Sequence, residues 1–362
     1  MCPPAVDGEA LAIHRQADSG DIRTEGRPQL GHERVRYMSL ANAAVTGHPS
    51  PVRLSVLRRV QLRDTIPFLS LLLVLGTFVV LIPGRFATLQ NCKLLLQQSA
   101  ITMTVGFGMT FVIVAGSIDL SVGSIVALSA MVGGSVTVHA GLFLGILASL
   151  GTGLLCGIIN GATFAYLRVP SFVVTLGTLQ AVRGVTTIYS HGFPVSMPES
   201  SYVFGTWPGI MVVALVVLAI TTVVYRYTVL GECTRAVGGD ETVARLSGSP
   251  IHANKLLVFV ISGTLAGLGG FMTAARLGVA SPTVGVGYEL DVIASVVLGG
   301  TPLTGGIGRI YGTILGAVIM SAIGNGLVIL GIPSEWQLVV KGCILVIAVF
   351  VSFERAKVGN IK

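Results

Sequence analysis

The sequence predicts an all-α membrane protein that crosses a bilayer about ten times. Three observations lead there. Of 362 residues, 52% are hydrophobic and only 11% are charged, against roughly 25% charged in an ordinary soluble domain. Between Ile66 and Phe353 there are only eleven Lys or Arg and eight Asp or Glu, so long uncharged segments follow one another, and each span needs about 20 apolar residues. The 47 glycines are concentrated inside these segments: Gly153, Gly157 and Gly161 are spaced by four, as are Gly312 and Gly316. That spacing lets helix backbones approach closely within a bilayer.

Residues 1–64 are different material, with nine Arg, seven Asp or Glu and no apolar periodicity. They read as a disordered N-terminal extension in which Met38 opens a more ordinary lead; no secretory signal is expected before the first span. Spans are expected over 66–83, 94–116, 121–138, 142–165, 171–190, 207–226, 255–275, 289–303, 309–331 and 336–353, the eighth being short and Gly-rich. Residues 65–354 thus form the transmembrane domain and 355–362 a tail. Arg58, Arg59, Arg168, Arg226, Arg235, Arg245 and Arg309 fall in alternate connections, against Arg85, Lys93 and Arg276 on the other side. Both ends are therefore expected in the cytoplasm. Arg183 and Lys341 lie near span ends, where long side chains snorkel to headgroups. The fourth and fifth spans also resemble the ninth and tenth. Asn160-Gly161 aligns with Asn325-Gly326, and Val169-Pro170-Ser171 with Ile332-Pro333-Ser334. An offset of five spans reverses direction, which makes this an inverted-topology repeat of the kind found in transporters.

Several function classes find no support. The net charge of +7 fits a basic cytoplasmic face better than nucleic-acid binding. Cys2, Cys92, Cys156, Cys233 and Cys343 are scattered and form neither a disulfide framework nor a zinc pattern. There is no GxxxxGK[ST], HExxH or GxSxG, so no catalytic residue, metal or bound cofactor is expected. The cluster from Gly299 to Gly308 reads as a tight turn or broken helix at the membrane edge.

Three polar residues stand out within the apolar segments. Asp119 is the one acidic residue between Ile101 and Met131. A carboxylate in hydrocarbon costs about 3 kcal/mol, so it is expected at a surface, beside a wet cavity or paired. Asn160 and Asn325 sit on small-residue seams, where they either bond between helices or line a translocation path. Outside the spans, the longest polar connection is Tyr227 to Asn254. Within it Asp240 suits a helix N-cap, Glu241 the positive end, Arg245 the same face one turn later, and Gly248 the stop. Ala244 and Gly248 are expected to offer a small-residue face to a soluble partner.

Four ordered segments then carry a resemblance: GMTFVIVAGSIDLSVGSIVALSAM (108–131), VPSFVVTLGTLQAVRG (169–184), AVGGDETVARLSGSP (236–250) and the Gly-rich stretch 296–332. They resemble the permease subunits of ribose-, xylose- and arabinose-type ABC sugar importers. The resemblance implies a subunit of the bacterial inner membrane that pairs with a second permease copy or homologue. It also implies an ATPase subunit, which uses the ATP, and an extracytoplasmic sugar-binding protein. Gly238, Gly239, Asp240, Glu241, Ala244, Arg245, Leu246 and Gly248 would form the ATPase-coupling loop. The loop departs from the family pattern at Glu232, Asp240, Val243 and Ser249, and Pro302 stands where Ser is common. The rival reading, an autonomous ion-coupled secondary transporter using Asp119, calls for more intramembrane carboxylates than the chain has.

Overall fold

The computed structural model describes residues 62–359; the expected extension over 1–64 lies almost wholly outside them. The described residues form twelve α-helices: α1 (Leu62–Leu81), α2 (Leu89–Val114), α3 (Val122–Ala140), α4 (Leu142–Tyr166), α5 (Ser171–Ser190), α6 (Gly209–Tyr227), α7 (Val229–Gly239), α8 (Glu241–Leu246), α9 (Ile251–Leu277), α10 (Tyr288–Leu298), α11 (Ile310–Ile329) and α12 (Ser334–Gly359). A two-residue antiparallel ladder pairs β1 (Val195–Ser196) with β2 (Val279–Ala280).

Six of these helices, α2, α3, α4, α6, α9 and α11, are long and apolar enough to cross a membrane. The segment expected as the eighth span is different. Its helix, α10, has 11 residues and reaches roughly 16 Å at 1.5 Å per residue, about half the hydrocarbon thickness. It stops where Gly299, Gly300 and Pro302 arrive; Gly300 takes φ +93°, a conformation that favours glycine. The residues expected as a tail continue α12 as far as Gly359.

Helix α2 is the axis of the bundle. Nearly every residue from Ser99 to Val114 is buried, and α6, α9, α10 and α11 all pack on it. The most extensive contact is between α4 and α9, along the seam expected from the glycine spacing. A Cβ on Gly157 would press on Val260 Cα at 2.9 Å, and one on Gly263 would press on Gly157 Cα at 2.8 Å. Gly161 is similarly close to the Leu256 backbone. The second glycine pair works the same way, with Gly312 against Gly299 and Gly316 against Ser295 bringing α11 onto α10. Lipid supplies no hydrophobic force between helices, so this close approach and its dispersion contacts hold them together.

Gly157→Leu should therefore lower the thermal midpoint of the purified protein by several degrees, overpacking costing about 1–3 kcal/mol. Gly151→Ala, in the same helix with nothing within 4 Å, should leave it unchanged or slightly higher. Equal midpoints for wild type and Gly157→Leu would show that the seam does not hold the fold.

Candidate functional site

The polar connection after α6 folds into two helices. Helix α7 adds to the one short helix expected there; its buried residues Cys233, Thr234 and Val237 trace an amphipathic stripe that its glycines obscure. Asn254 of α9 donates to Thr234 Oγ1 at 2.9 Å, and Arg235 donates to the Tyr225 carbonyl at 2.9 Å. Tyr225 in turn donates to the Gly308 carbonyl at 2.9 Å. The α6–α7 corner is thereby tied to the turns that follow α10.

The short helix α8 follows its sequence signals closely. Asp240 Oδ1 accepts from the backbone N–H of Thr242 at 2.8 Å and of Val243 at 3.0 Å, which makes it the N-cap. At the other end, Gly248 N–H bonds to the Arg245 carbonyl and Ser249 N–H to the Ala244 carbonyl, with Gly248 at φ +80°. These bonds form a Schellman stop, a role for which glycine is suited. Glu241 pairs with Arg245 at 2.9 Å and with Lys255 of α9 at 2.8 Å.

The outward face differs from the one expected. Ala244 is buried against Val237 and Ile251, so it anchors α8 to its own bundle and is not offered to a partner. The apolar side chains that project are Val243, 61% exposed, and Leu246, 84% exposed. A six-residue helix with one small residue facing in must turn its larger neighbours out.

Gly238 and Gly239 end α7 against two other turns. A Cβ on Gly238 would collide with the Val114 carbonyl at the end of α2 and come within 2.7 Å of Gly306 N. A Cβ on Gly305 would meet Gly116 Cα and the Gly238 carbonyl, each at 2.9 Å. Gly306 N–H donates to the Val114 carbonyl at 2.8 Å. Three backbone segments thus touch here without side chains between them: the end of α7, the break after α2 and the turn after α10.

The break after α2 carries Asp119, which is 1% exposed. It has hydrogen-bond partners for both oxygens. Oδ1 accepts from Ser121 N–H at 3.0 Å and Ser121 Oγ at 2.6 Å; Oδ2 accepts from Ser262 Oγ of α9 at 2.9 Å. Ser121 Oγ accepts from Asn160 Nδ2 at 2.8 Å, and Asn160 Oδ1 accepts from Thr178 Oγ1 at 2.6 Å. Asp119 and Asn160, singled out separately in sequence, are members of one buried polar chain running from α9 through the break and α4 to α5. Asn325 belongs elsewhere: it donates to Asn91 Oδ1 at 2.7 Å, joining α11 to the start of α2.

Arg183 and Lys341 are turned inward, contrary to the snorkelling expected. Arg183 donates to the carbonyls of Val284 at 2.8 Å and Gly285 at 3.1 Å, and Lys341 pairs with Asp291 at 2.6 Å. Half-buried acceptors were available to each, and an unpaired carboxylate or carbonyl there would cost more than the lost headgroup contact.

Apolar helices joined at glycines, a buried polar chain and one capped element projecting from the bundle are the architecture of a multi-pass membrane protein. A family model described as the branched-chain amino acid transport system / permease component matches residues 92–349, and the chain belongs to that family. It is 40% identical over 297 residues to the ribose import permease protein RbsC of Escherichia coli (strain K12), covering 78% of this chain and 92% of that one. The RbsC of Bacillus subtilis (strain 168) is 40% identical over 299 residues, covering 80% and 92%. The xylose transport system permease protein XylH of Haemophilus influenzae is 31% identical over 370 residues, covering 83% and 99%.

Two outcomes are expected of these contacts. In a double-mutant cycle, Asn160→Ala and Thr178→Ala should show a coupling of about 0.5–3 kcal/mol in unfolding free energy; additive effects would mean that the observed bond contributes nothing. The second concerns pH. The hydrogen bond from Lys255, reinforced by Arg245, holds the Glu241 carboxyl below its usual range. A depressed folded-state value means the pair stabilises α8 above the ordinary Glu range of about 4.3 and is lost as pH falls through the lowered value. The protection of the α8 amides, taken relative to the intrinsic exchange rate at each pH, should fall on acidification below about pH 4 in the wild type, and Glu241→Gln should abolish that step. A pH step that persists in the variant would assign the effect to another group.

Proposed function

We propose that the chain is the transmembrane permease subunit of an ATP-binding-cassette importer for a simple sugar. It works with a separate ATPase, an extracytoplasmic sugar-binding protein and a second permease copy, with both its termini in the cytoplasm. The observation that carries this reading is α8: a capped helix fixed by Ala244 and the Glu241–Lys255 pair, with Val243 and Leu246 projecting. Similarity to permeases named for ribose and xylose import over most of their length supports the sugar class. The ten-span, inverted arrangement rests on the sequence repeat, Asn160-Gly161 with Asn325-Gly326 and Val169-Pro170-Ser171 with Ile332-Pro333-Ser334, with α10 entering the bilayer only part-way.

In this reading α8 docks on the ATPase through Leu246 and Val243. Movement of α8 and α7 passes through Gly238 and Gly239 to the break carrying Asp119 and to the turn at Gly305 and Gly306. Two permease copies face each other across α5, whose outward face carries Gly177, Gln180, Gly184 and Thr187. That face is lined by small and polar groups on a helix otherwise surrounded by apolar surface, and it suits a path for hydroxylated cargo between the copies.

The ion-coupled alternative is disfavoured by Asp119 itself. Three donors from Ser121 and Ser262 already take most of the acceptor sites of its two oxygens, and the group is closed off from solvent at 1% exposure.

Leu246→Asp and Val243→Asp should each weaken co-purification of the ATPase at least about tenfold, as losing a contact of about 2 kcal/mol implies. ATP-driven sugar uptake into proteoliposomes should fall with it, while membrane insertion is unchanged. Retention of both ATPase and uptake by the two variants would place the coupling contact elsewhere. The chain reconstituted alone should show no uptake driven by a proton or sodium gradient; such uptake would favour the ion-coupled reading.

A further inference from the structure

At the end of the bundle remote from α8, the helices α2, α3, α9, α10, α11 and α12 and the segment before α10 line a partly enclosed cavity of about 350 Å³. Helix α9 connects the two ends: Lys255 pairs with Glu241 of α8, and Arg276, near the helix's other end, lines the cavity. At 1.5 Å per residue these positions are roughly 30 Å apart. Helix α5, whose outward face carries the proposed path, contributes no side chain to the cavity walls, so the cavity lies apart from that path.

Its chemistry is mixed in a specific way. Arg276, Asp291 and Lys341 all line it, with Lys341 paired to Asp291 at 2.6 Å. An anionic occupant would meet the Asp291 carboxylate, and a cationic one would meet Arg276 and Lys341. Each would also have to shed its hydration in a partly enclosed site. A hydroxyl avoids both conflicts because it donates and accepts, so one hydroxyl can donate to the carboxylate while a neighbour accepts from the guanidinium. The amides of Gln98 and Gln337 add further partners, and Ile101 and Met320 offer surface to C–H groups. The volume lies at the lower end of the range for small-molecule sites, which suits a monosaccharide better than an oligosaccharide or a lipid tail.

We propose that this cavity is a binding site for a neutral polyhydroxylated molecule of monosaccharide size, held between Arg276 and the Asp291–Lys341 pair. The site deepens the importer reading and rests on it for the identity of the cargo. The permease would itself hold sugar, inside each copy, at the end opposite its docking helix.

Gly324 provides the direct test. It lines the cavity on α11, and a Cβ built there would find only the Lys341 side chain, at 3.9 Å. Gly324→Leu should therefore fill the cavity without disturbing the helix. The full chain in lipid nanodiscs, without ATPase or binding protein, is titrated with D-ribose and D-xylose by calorimetry and saturation-transfer NMR. D-ribonate and D-glucosamine serve as the anionic and cationic probes. The proposal predicts saturable binding of at least one neutral sugar. Binding should be about tenfold weaker or worse for both charged probes, for Gly324→Leu, and for the size-matched double variant D291N/K341M. The double variant keeps the test decisive if the leucine impairs folding. No saturable binding of either neutral sugar, tighter binding of a charged probe, or unchanged sugar binding in a folded Gly324→Leu protein would overturn it. ATP-driven uptake by the complete reconstituted importer separates the two readings: wild-type uptake without binding to the isolated chain leaves the importer standing and removes the cavity site. Cavity binding without any ATP-driven uptake does the reverse.

Discussion

Close backbone approach at glycine is the constraint on which the rest of this structure depends. In a bilayer, apolar side chains gain nothing by leaving lipid for one another, so helices associate where their surfaces are flat enough for dense dispersion contact and short polar bonds. The α4–α9 seam at Gly153, Gly157, Gly263 and Gly267 provides this. It also brings Ser262 and Asn160 close enough to share the chain through Asp119 and Ser121. Side chains larger than hydrogen along that seam would push the helices apart and put at risk the bonds that Ser262 and Asn160 bring to this buried chain, a penalty added to the packing loss.

The same device recurs at the junction of α7, the break after α2 and the turn after α10, with a different consequence. Here the contact joins short connections, and both Gly305 and Gly306 take positive φ. Connections of this kind are held by few side chains, while the helices they join are rigid. In the proposed coupling, a displacement applied at α8 would reach the break at Asp119 through this direct backbone contact. The buried polar chain extends that route sideways into α4, α9 and α5, the last of which presents the proposed path.

Much of this was legible in the sequence because it is local. Asp240, Glu241, Arg245 and Gly248 follow capping and pairing rules that act within a single turn, and glycines four apart on one helix declare a close-packed face before its partner is known. The remainder depended on the partner. Nothing near Asp119 indicates that Asn160 shares Ser121 with it, or that Ser262 supplies its third donor. Arg183 and Lys341 look like snorkelling residues until the carbonyls of Val284 and Gly285 and the carboxylate of Asp291 arrive from distant segments. Ala244 misled for a related reason: a helix of six residues has too few turns for its pattern to show which face is buried. The orientation became evident only once Val237 and Ile251 were in place. The eighth segment reads as short and Gly-rich with a turn or broken helix from Gly299 to Gly308, but its apolar composition hides that the helix ends at Leu298 without spanning.

In the proposed mechanism, motion passes from α8 to the membrane path through the glycine junction. The most direct measurement is the number of sugar molecules imported per ATP hydrolysed by the reconstituted complex carrying Gly238→Ala, at wild-type levels of bound ATPase. A methyl group there has no room beside the Val114 carbonyl, so it should separate α7 from the break after α2 without touching Val243 or Leu246. The account predicts intact assembly and continued ATP hydrolysis, with import per ATP reduced by about tenfold or more. A parental ratio in that complex would contradict it.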